Sequence, residues 1–477
     1  MFTISSRIYR KNSQRFVIFF KILSDLPQSR LCGPLFRNRF PSLLVSFPLE
    51  WRKPNEGGFL LKQDIICPGP LTEEALTQAV ETFLMEVRPG RERLYDYYRS
   101  QQPVPKGEAV RGRPNNLLRI PFPRYITEVH TGYFLGLPPT LDFPREADAA
   151  AYAGLSASLG LDHLLFDVAR DASVCGVGFV LVWLERSGLH ACRCDPLTCF
   201  CIRSGGAGSP LVGTVRMFQS PGGSTGGILY QPGCQRLFAL DGHRVILDEP
   251  EESLFRGMPL IPFANNCQGD GDFELVTDLV DAYNLLLSGA MDDMQSVANA
   301  FLALYGMLGT TQGDIDEANR TRVLSLAEGG RAEFVVKDLN HEALGQLETN
   351  LRRSILQLSM TPDLSDDSFA GTASGVALQY KLWGIEQVRS AKERSFTPSL
   401  YALLDSLSGG LSTLGAPADL TSGRPTFYKN LPRDQAAQAE TLLSLSPVLS
   451  RRTILEHLPW VTDPEEELRR IEKEEQK

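Results

Sequence analysis

The residues of this chain that could carry out chemistry lie in a few short patterns. Gly222-Gly223-Ser224-Thr225-Gly226 has the spacing of a serine nucleophile elbow, which needs a strand before it and a helix after it. Here both flanks read as strands and Pro221 precedes the first glycine, so the pattern reads as a flexible hairpin turn. His341-Glu342 opens like a zinc-protease helix, but Gly345 stands where the second histidine ligand belongs. Cys192, Cys194, Cys199 and Cys201 could supply four thiolates to zinc. The usual C-x2-C spacing is absent, however. In extended chain 192 and 194 share one face, as do 199 and 201, and a buried cysteine there acts as a small hydrophobe. The six histidines are isolated, and no GxxxxGK[ST] phosphate loop is present. No catalytic constellation remains. The chain is expected to be a structural or binding protein, with no metal and no cofactor. The rival readings are a hydrolase or metal-binding enzyme in the strand-rich residues 174–260, and a nucleic-acid-binding module using the basic N-terminus.

The elements that position these residues follow from periodicity. Thr72-Glu73-Glu74-Ala75 resembles a helix start, with a helix to about Val87 and a second over Arg91–Arg99, ending before Pro103. Residues 147–172 are rich in Ala and Leu and read as one or two helices. The period then changes. Val174–Glu185, Leu189–Arg203, Leu211–Gln219, Ile228–Leu240 and Arg244–Asp248 are apolar runs divided by Gly, Pro and Ser, the pattern of an antiparallel meander. Pro259 and Pro262 keep 258–263 extended. From Asp272, Phe273, Val276, Val280, Tyr283, Leu287, Met291, Met294 and Val297 recur at spacings of three and four, which predicts one long amphipathic helix. Asn340 can cap a further helix striped by Leu344, Leu347, Leu351, Ile355 and Leu358. Thr361–Gly375 reads as a loop, followed by a helix with Leu378, Leu382 and Ile385. Arg424–Asn430 reads as a strand, and the tail as helix capped by Asp463.

Composition sets limits. At 477 residues the chain should hold two to four subdomains, and 43% apolar with 22% charged residues is the balance of a globular protein. No apolar run approaches the 18–20 residues that span a bilayer, the nearest being Phe16–Leu23 with Lys21 inside it. Nine cysteines in this length do not suggest a disulfide scaffold. The net charge of −9 is uneven: residues 1–70 carry eleven Lys/Arg against four Asp/Glu, so the remainder is strongly acidic. An acidic body argues against tight nucleic-acid binding, because phosphate contacts need cations.

Several stretches from Leu71 onward, taken in order, carry a resemblance. They are Tyr97-Tyr98-Arg99, Arg113-Pro114-Asn115-Asn116, Tyr125-Ile126 and Gly132-Tyr133-Phe134-Leu135-Gly136. Next come Pro259–Phe263 with Asn265-Asn266, Gly271-Asp272-Phe273-Glu274 and Asp281-Ala282-Tyr283. Met360–Asp366, Phe369-Ala370-Gly371, Ser374–Leu378, Lys392-Glu393-Arg394, Asn430-Leu431-Pro432 and Asp463–Glu467 close the series. Together they resemble the portal proteins of long-tailed phages, the family typified by Bacillus siphophage connectors. Residues 1–70 have no counterpart in it and are expected to be a disordered extension from an upstream start.

The resemblance implies an α+β portal fold. A mixed α/β wing would occupy 71–271, with stem helices at 272–298 and 341–360 and a small α/β clip at 299–340 between them. A tunnel loop at 361–375, a long helix and wing strand at 376–432 and a helical crown at 433–477 would follow. It implies a homododecameric ring at one capsid vertex, in the virion and in the bacterial cytoplasm during assembly. Double-stranded DNA would pass through it. The implied partners are the terminase large subunit, a head-completion or adaptor protein, and scaffolding and major capsid proteins; no membrane is involved. The DNA-facing residues would be Asp363, Ser365, Asp366, Asp367, Ser368, Phe369, Thr372 and Ser374, and the clip contacts Asp314, Asp316, Glu317 and Arg320. The loop has three acids and no Lys or Arg, which suits a surface that passes DNA without gripping it.

Overall fold

A computed structural model describes residues 63–477, apart from 108–113, 207, 220–224, 299–300, 306–310, 322–330, 336–340, 366–378, 431–443 and single or paired positions beyond 444. The described residues lie in one compact unit, Glu56–Lys477. A strand lies ahead of Leu71, within the stretch expected to be an extension. β1 (Ile65–Cys67) pairs in parallel with β5 (Cys199–Ser204), Ile65 opposite Ile202, and buries Ile65 and Cys67. Beside it the buried Asp64 carboxylate pairs with Arg203.

Thr72 caps α1 (Glu73–Thr82) by accepting from the Ala75 amide at 3.3 Å. A π-helical turn at Phe83–Val87 carries α1 directly into α2 (Arg88–Tyr98), so the two expected helices are continuous. The wide turn rotates the apolar face. Leu76, Val80 and Phe83 pack under the larger sheet, whereas Leu94, Tyr95 and Tyr97 join a different core with Phe273, Val276 and Val280.

α3 (Phe122–Leu135), β2 (Thr140–Asp142), α4 (Glu146–Leu159) and α5 (Leu161–Cys175) follow. Gly176 turns α5 into β3 (Val177–Glu185) at φ 85°, and a Cβ there would lie 1.9 Å from the Gly269 carbonyl oxygen. The predicted meander is divided between two sheets. β3 pairs with β4 (Gly188–Cys194) on one side and β11 (Leu260–Ala264) on the other. β5, β6 (Leu211–Gln219), β7 (Thr225–Gln231), β8 (Cys234–Asp241), β9 (Arg244–Leu247) and β10 (Glu251–Glu252) form the larger sheet with β1. The division falls at Asp195, whose carboxylate accepts from the Leu197 amide at 2.9 Å and breaks the run Leu189–Arg203. Between the sheets lie Phe179, Leu181, Tyr230 and the cysteines: Cys194, Cys199 and Cys201 are buried and Cys192 half-buried. Among the described residues no group of three or more His, Cys, Asp or Glu is arranged to hold a metal.

A 3-10 turn at Glu274–Val276 leads into α6 (Thr277–Ala298). β12 (Phe301–Tyr305) pairs with β13 (Arg331–Val335), with α7 (Gln312–Thr321) between them in sequence. α8 (His341–Leu358) returns along α6, where Ile355 and Leu351 meet the stripe of Val276, Val280, Tyr283 and Leu287. The far end of that stripe is open, since Met291 and Met294 are exposed. α9 (Trp383–Thr413) packs Phe396, Leu400, Leu403 and Leu407 against β3, β11 and α3, and continues through Pro398. The expected strand at Arg424–Asn430 shortens to β14 (Arg424–Thr426), paired with β2. α10 (Arg451–Glu456) and α11 (Pro464–Glu475) end the chain. No described helix is long and apolar enough to cross a membrane.

Candidate functional site

α6 carries buried polar side chains on the face that meets residues 116–120. Asn284 and Ser288 are fully buried, and left alone each would be a costly orphan. The extended segment supplies partners to their oxygens. The amides of Ile120, Leu118 and Asn116 donate to Asn284 Oδ1 at 2.8 Å, Ser288 Oγ at 2.9 Å and Asp292 Oδ1 at 2.7 Å. The match is geometric: two residues of extended chain rise about 6.6 Å and four residues of helix about 6 Å, so alternate amides meet every fourth side chain. Lys106 closes the strap, bonding Asp292, the Asn116 carbonyl at 2.9 Å and the Ser288 carbonyl at 3.4 Å. The Lys106 ammonium and the Asn116 amide hold the Asp292 carboxyl below its ordinary value.

Tyrosines tie the other elements together. Tyr97 donates to Asp281 at 2.6 Å, Tyr98 to Glu128 at 2.6 Å and Tyr133 to Glu386 at 2.8 Å. Tyr283 on α6 donates to Glu348 on α8 at 2.9 Å, and burial plus that carboxylate push its phenol up to about 12, so it stays a donor at neutral pH. Tyr125 donates to the Pro362 carbonyl at 3.0 Å and accepts from the Leu364 amide at 3.2 Å.

These last bonds reach the junction that leaves α8, where the DNA-facing loop was expected to begin. Met360 turns the chain at φ 55°, and Thr361 and Pro362 are buried, so the exposed segment starts later than Thr361. Asp363 is not a free acid. Its carboxylate accepts from Arg352 at 3.1 Å, from the Ser365 amide at 3.1 Å and from the Ser365 hydroxyl at 2.6 Å. Partial burial works to raise its pKa, but Ser365 and Arg352 outweigh that and hold it low. A groove of about 630 Å³ opens beside it, lined in part by Thr349, Arg352, Arg353 and Lys381. Asp366, Asp367, Ser368, Phe369, Thr372 and Ser374 lie outside the described residues, as does Ser224.

The four clip residues share one exposed helix, α7. Asp314 accepts from the Thr311 amide at 2.8 Å, Gln312 donates to Asp316 at 3.2 Å, and Arg320 lies 3.6 Å from Glu317. They are thus on a separate element from Asp363 and Ser365.

Sequence reasoning missed a buried polar cluster at the base of α6. Asp272, Lys392, His130, Asn265 and Ser173 converge there from five segments. One signal was available: Lys392 sits on the same helical stripe as Ile385, Phe396 and Leu403, and a cation on an apolar stripe needs a buried partner.

The described residues thus form an α+β body and a helix pair with a small α/β unit between its helices, tied together by polar joints. A family model described as phage portal protein, SPP1 Gp6-like, matches residues 86–477, and the chain belongs to that family. It is 23% identical over 218 residues to the portal protein of Clostridium phage phiCD119, covering 44% of this chain and 47% of that one. To the portal protein of Bacillus phage SPP1 it is 22% identical over 223 residues, covering 46% and 44%. The chain therefore spans about half the length of the curated relatives it matches. A solved chain from the neck of an empty GTA particle aligns at 14% identity with a TM-score of 0.41, covering 71% of this chain and 90% of that chain.

Proposed function

We propose that this chain is a portal subunit: copies of it close into a ring at one capsid vertex, and double-stranded DNA passes through the centre during packaging and ejection. Family membership over residues 86–477 carries the reading. In this assignment residues 63–271 are the wing, α6 and α8 the stem, residues 299–340 the clip and residues beyond 433 the crown. Met291, Met294, Leu347 and Leu358 on the stem helices are exposed in the single chain. Such side chains suit a surface that a neighbouring copy covers. A ring of this kind closes through heterologous contacts.

The exposed charges of α7 would face the terminase large subunit on one occasion and the adaptor protein on another. The energy for packaging would come from the terminase. The channel loop would use Asp366 and Asp367 as its acids, with Ser365 before them and Ser368, Phe369, Thr372 and Ser374 beyond, while Asp363 would serve as the pinned end of the loop. Negative-stain microscopy with gel filtration of the purified full-length protein tests the reading. Rings with a central channel are expected, and a stable monomer at micromolar concentration would overturn it.

A further inference from the structure

Asp272 and Lys392 form an ion pair whose side chains are 3% and 4% exposed, with Nζ 2.6 Å from Oδ2. A buried pair often stabilises a fold no better than apolar side chains of the same volume. What it adds is direction, because each bond fixes one element against another. The Asp272 carboxylate also accepts from the Ser173 hydroxyl at the end of α5 and from Asn265 Nδ2 at 2.9 Å. Lys392, on α9, places a second N–H on Asn265 Oδ1. His130, on α3 and 1% exposed, sets Nδ1 3.5 Å from the same carboxylate oxygen, an electrostatic contact rather than a hydrogen bond. Its Nε2 is 2.9 Å from Thr361 Oγ1.

The chain of contacts continues outward. Thr361 Oγ1 is 2.9 Å from Ser359 Oγ, and the Ser359 hydroxyl donates to the Leu356 carbonyl in the last turn of α8. If Ser359 donates there, it accepts from Thr361, and Thr361 accepts from His130 Nε2–H. The relay then has one sense, running from His130 out to α8, with the His130 ring lying against the Asp272 carboxylate on its inner side. Apolar packing at the same place is thin: Leu358, Met360 and Leu364 are 61%, 50% and 55% exposed. Polar bonds, not an apolar core, hold this stretch.

We infer that the Asp272–Lys392–His130 cluster is a latch. It holds the α8–α9 junction, residues 359–365, against the base of α6, and releasing it frees the junction while both sheets stay folded. The inference stands on these contacts and does not depend on the portal reading.

Hydrogen–deuterium exchange of the full-length protein, read by mass spectrometry, tests it. Thr361→Val keeps the side-chain volume and removes the relay hydroxyl. Exchange in peptides covering 359–365 should rise about tenfold or more, with β3 and β11 unchanged. His130→Phe should do the same. If His130→Phe does not fold, Thr361→Val and the double variant Asp272→Asn/Lys392→Met carry the test, since neither leaves an uncompensated buried charge. Unchanged exchange at 359–365 in Thr361→Val overturns the latch. So does a rise shared evenly with β3 and β11, which would mean general loosening.

Discussion

Asp272 keeps its charge where almost no water reaches it. Burial alone would push its carboxyl up, but the Lys392 ammonium and the His130 ring beside it reverse the direction and hold it far below the carboxylate range. Burial pushes Lys392 the other way, lowering its hold on the proton, and Asp272 offsets this in part. A carboxyl depressed by folding contributes stability that is complete above its unfolded value, about 4, and is lost as pH falls below it. Melting temperatures of the native protein and of Asp272→Asn, measured from pH 7 down to about 3, should therefore stay a constant distance apart above about pH 5 and begin to approach each other below about pH 4. At neutral pH the variant should be less stable by about 3–5 kcal/mol, because Lys392 is left unpaired in the core. Parallel curves would show that the pair does not supply the acid sensitivity. Arg91, equally buried, is held by neutral groups: it donates to the Cys199 carbonyl at 2.7 Å and to Gln63 at 2.6 Å, and lies over the rings of Phe83 and Phe179.

At the scale of elements, the short β1 does more than its length suggests. It is the edge strand beside β5 in the larger sheet, and Asp64 and Gln63 reach Arg203, Arg91 and the Gly269 carbonyl. Deletion of residues 1–62 is expected to leave the melting temperature of the purified protein unchanged. Deletion of 1–70 should cost on the order of 3 kcal/mol, from the lost burial of Ile65 and Cys67 and the unpaired Arg203. Thermal melts of the two truncations decide it; equal stability would mean that β1 is an ornament of the sheet. The strap over α6 teaches a related lesson. Asn284, Ser288 and Asp292 repeat every four residues, a polar stripe that looks solvent-facing in sequence, yet each accepts an amide from 116–120.

For the whole molecule, the portal reading makes charge a matter of repetition, since in a ring each acid becomes a belt. Asp363 is paired with Arg352, so the charge reversal is aimed at Asp366 and Asp367. Changing both to Lys should let DNA bind the channel with a steep salt dependence. DNA packaged per capsid should fall, while gel filtration shows the ring intact. Normal packaging by the double variant would move the DNA-facing role to α6 and α8.

Periodicity by itself determined the long helices. Phe273 to Leu287 and Leu344 to Ile355 recur at three and four because each helix buries one stripe, and this needs no knowledge of what covers it. Ordered motifs carried the family, and the Pro-bounded run 259–263 announced an extended segment that is β11, at the edge of its sheet. Only the tertiary structure decided how the strands divide into two sheets, because β3 is buried on both sides and loses the alternation that would assign its faces. It alone also showed that Asp363 is pinned, that the cysteines line the space between the sheets, and that His130, Asp272 and Lys392 meet. Those residues are separated by more than a hundred positions, and a buried charge chooses its partner by position in space, which local sequence does not encode.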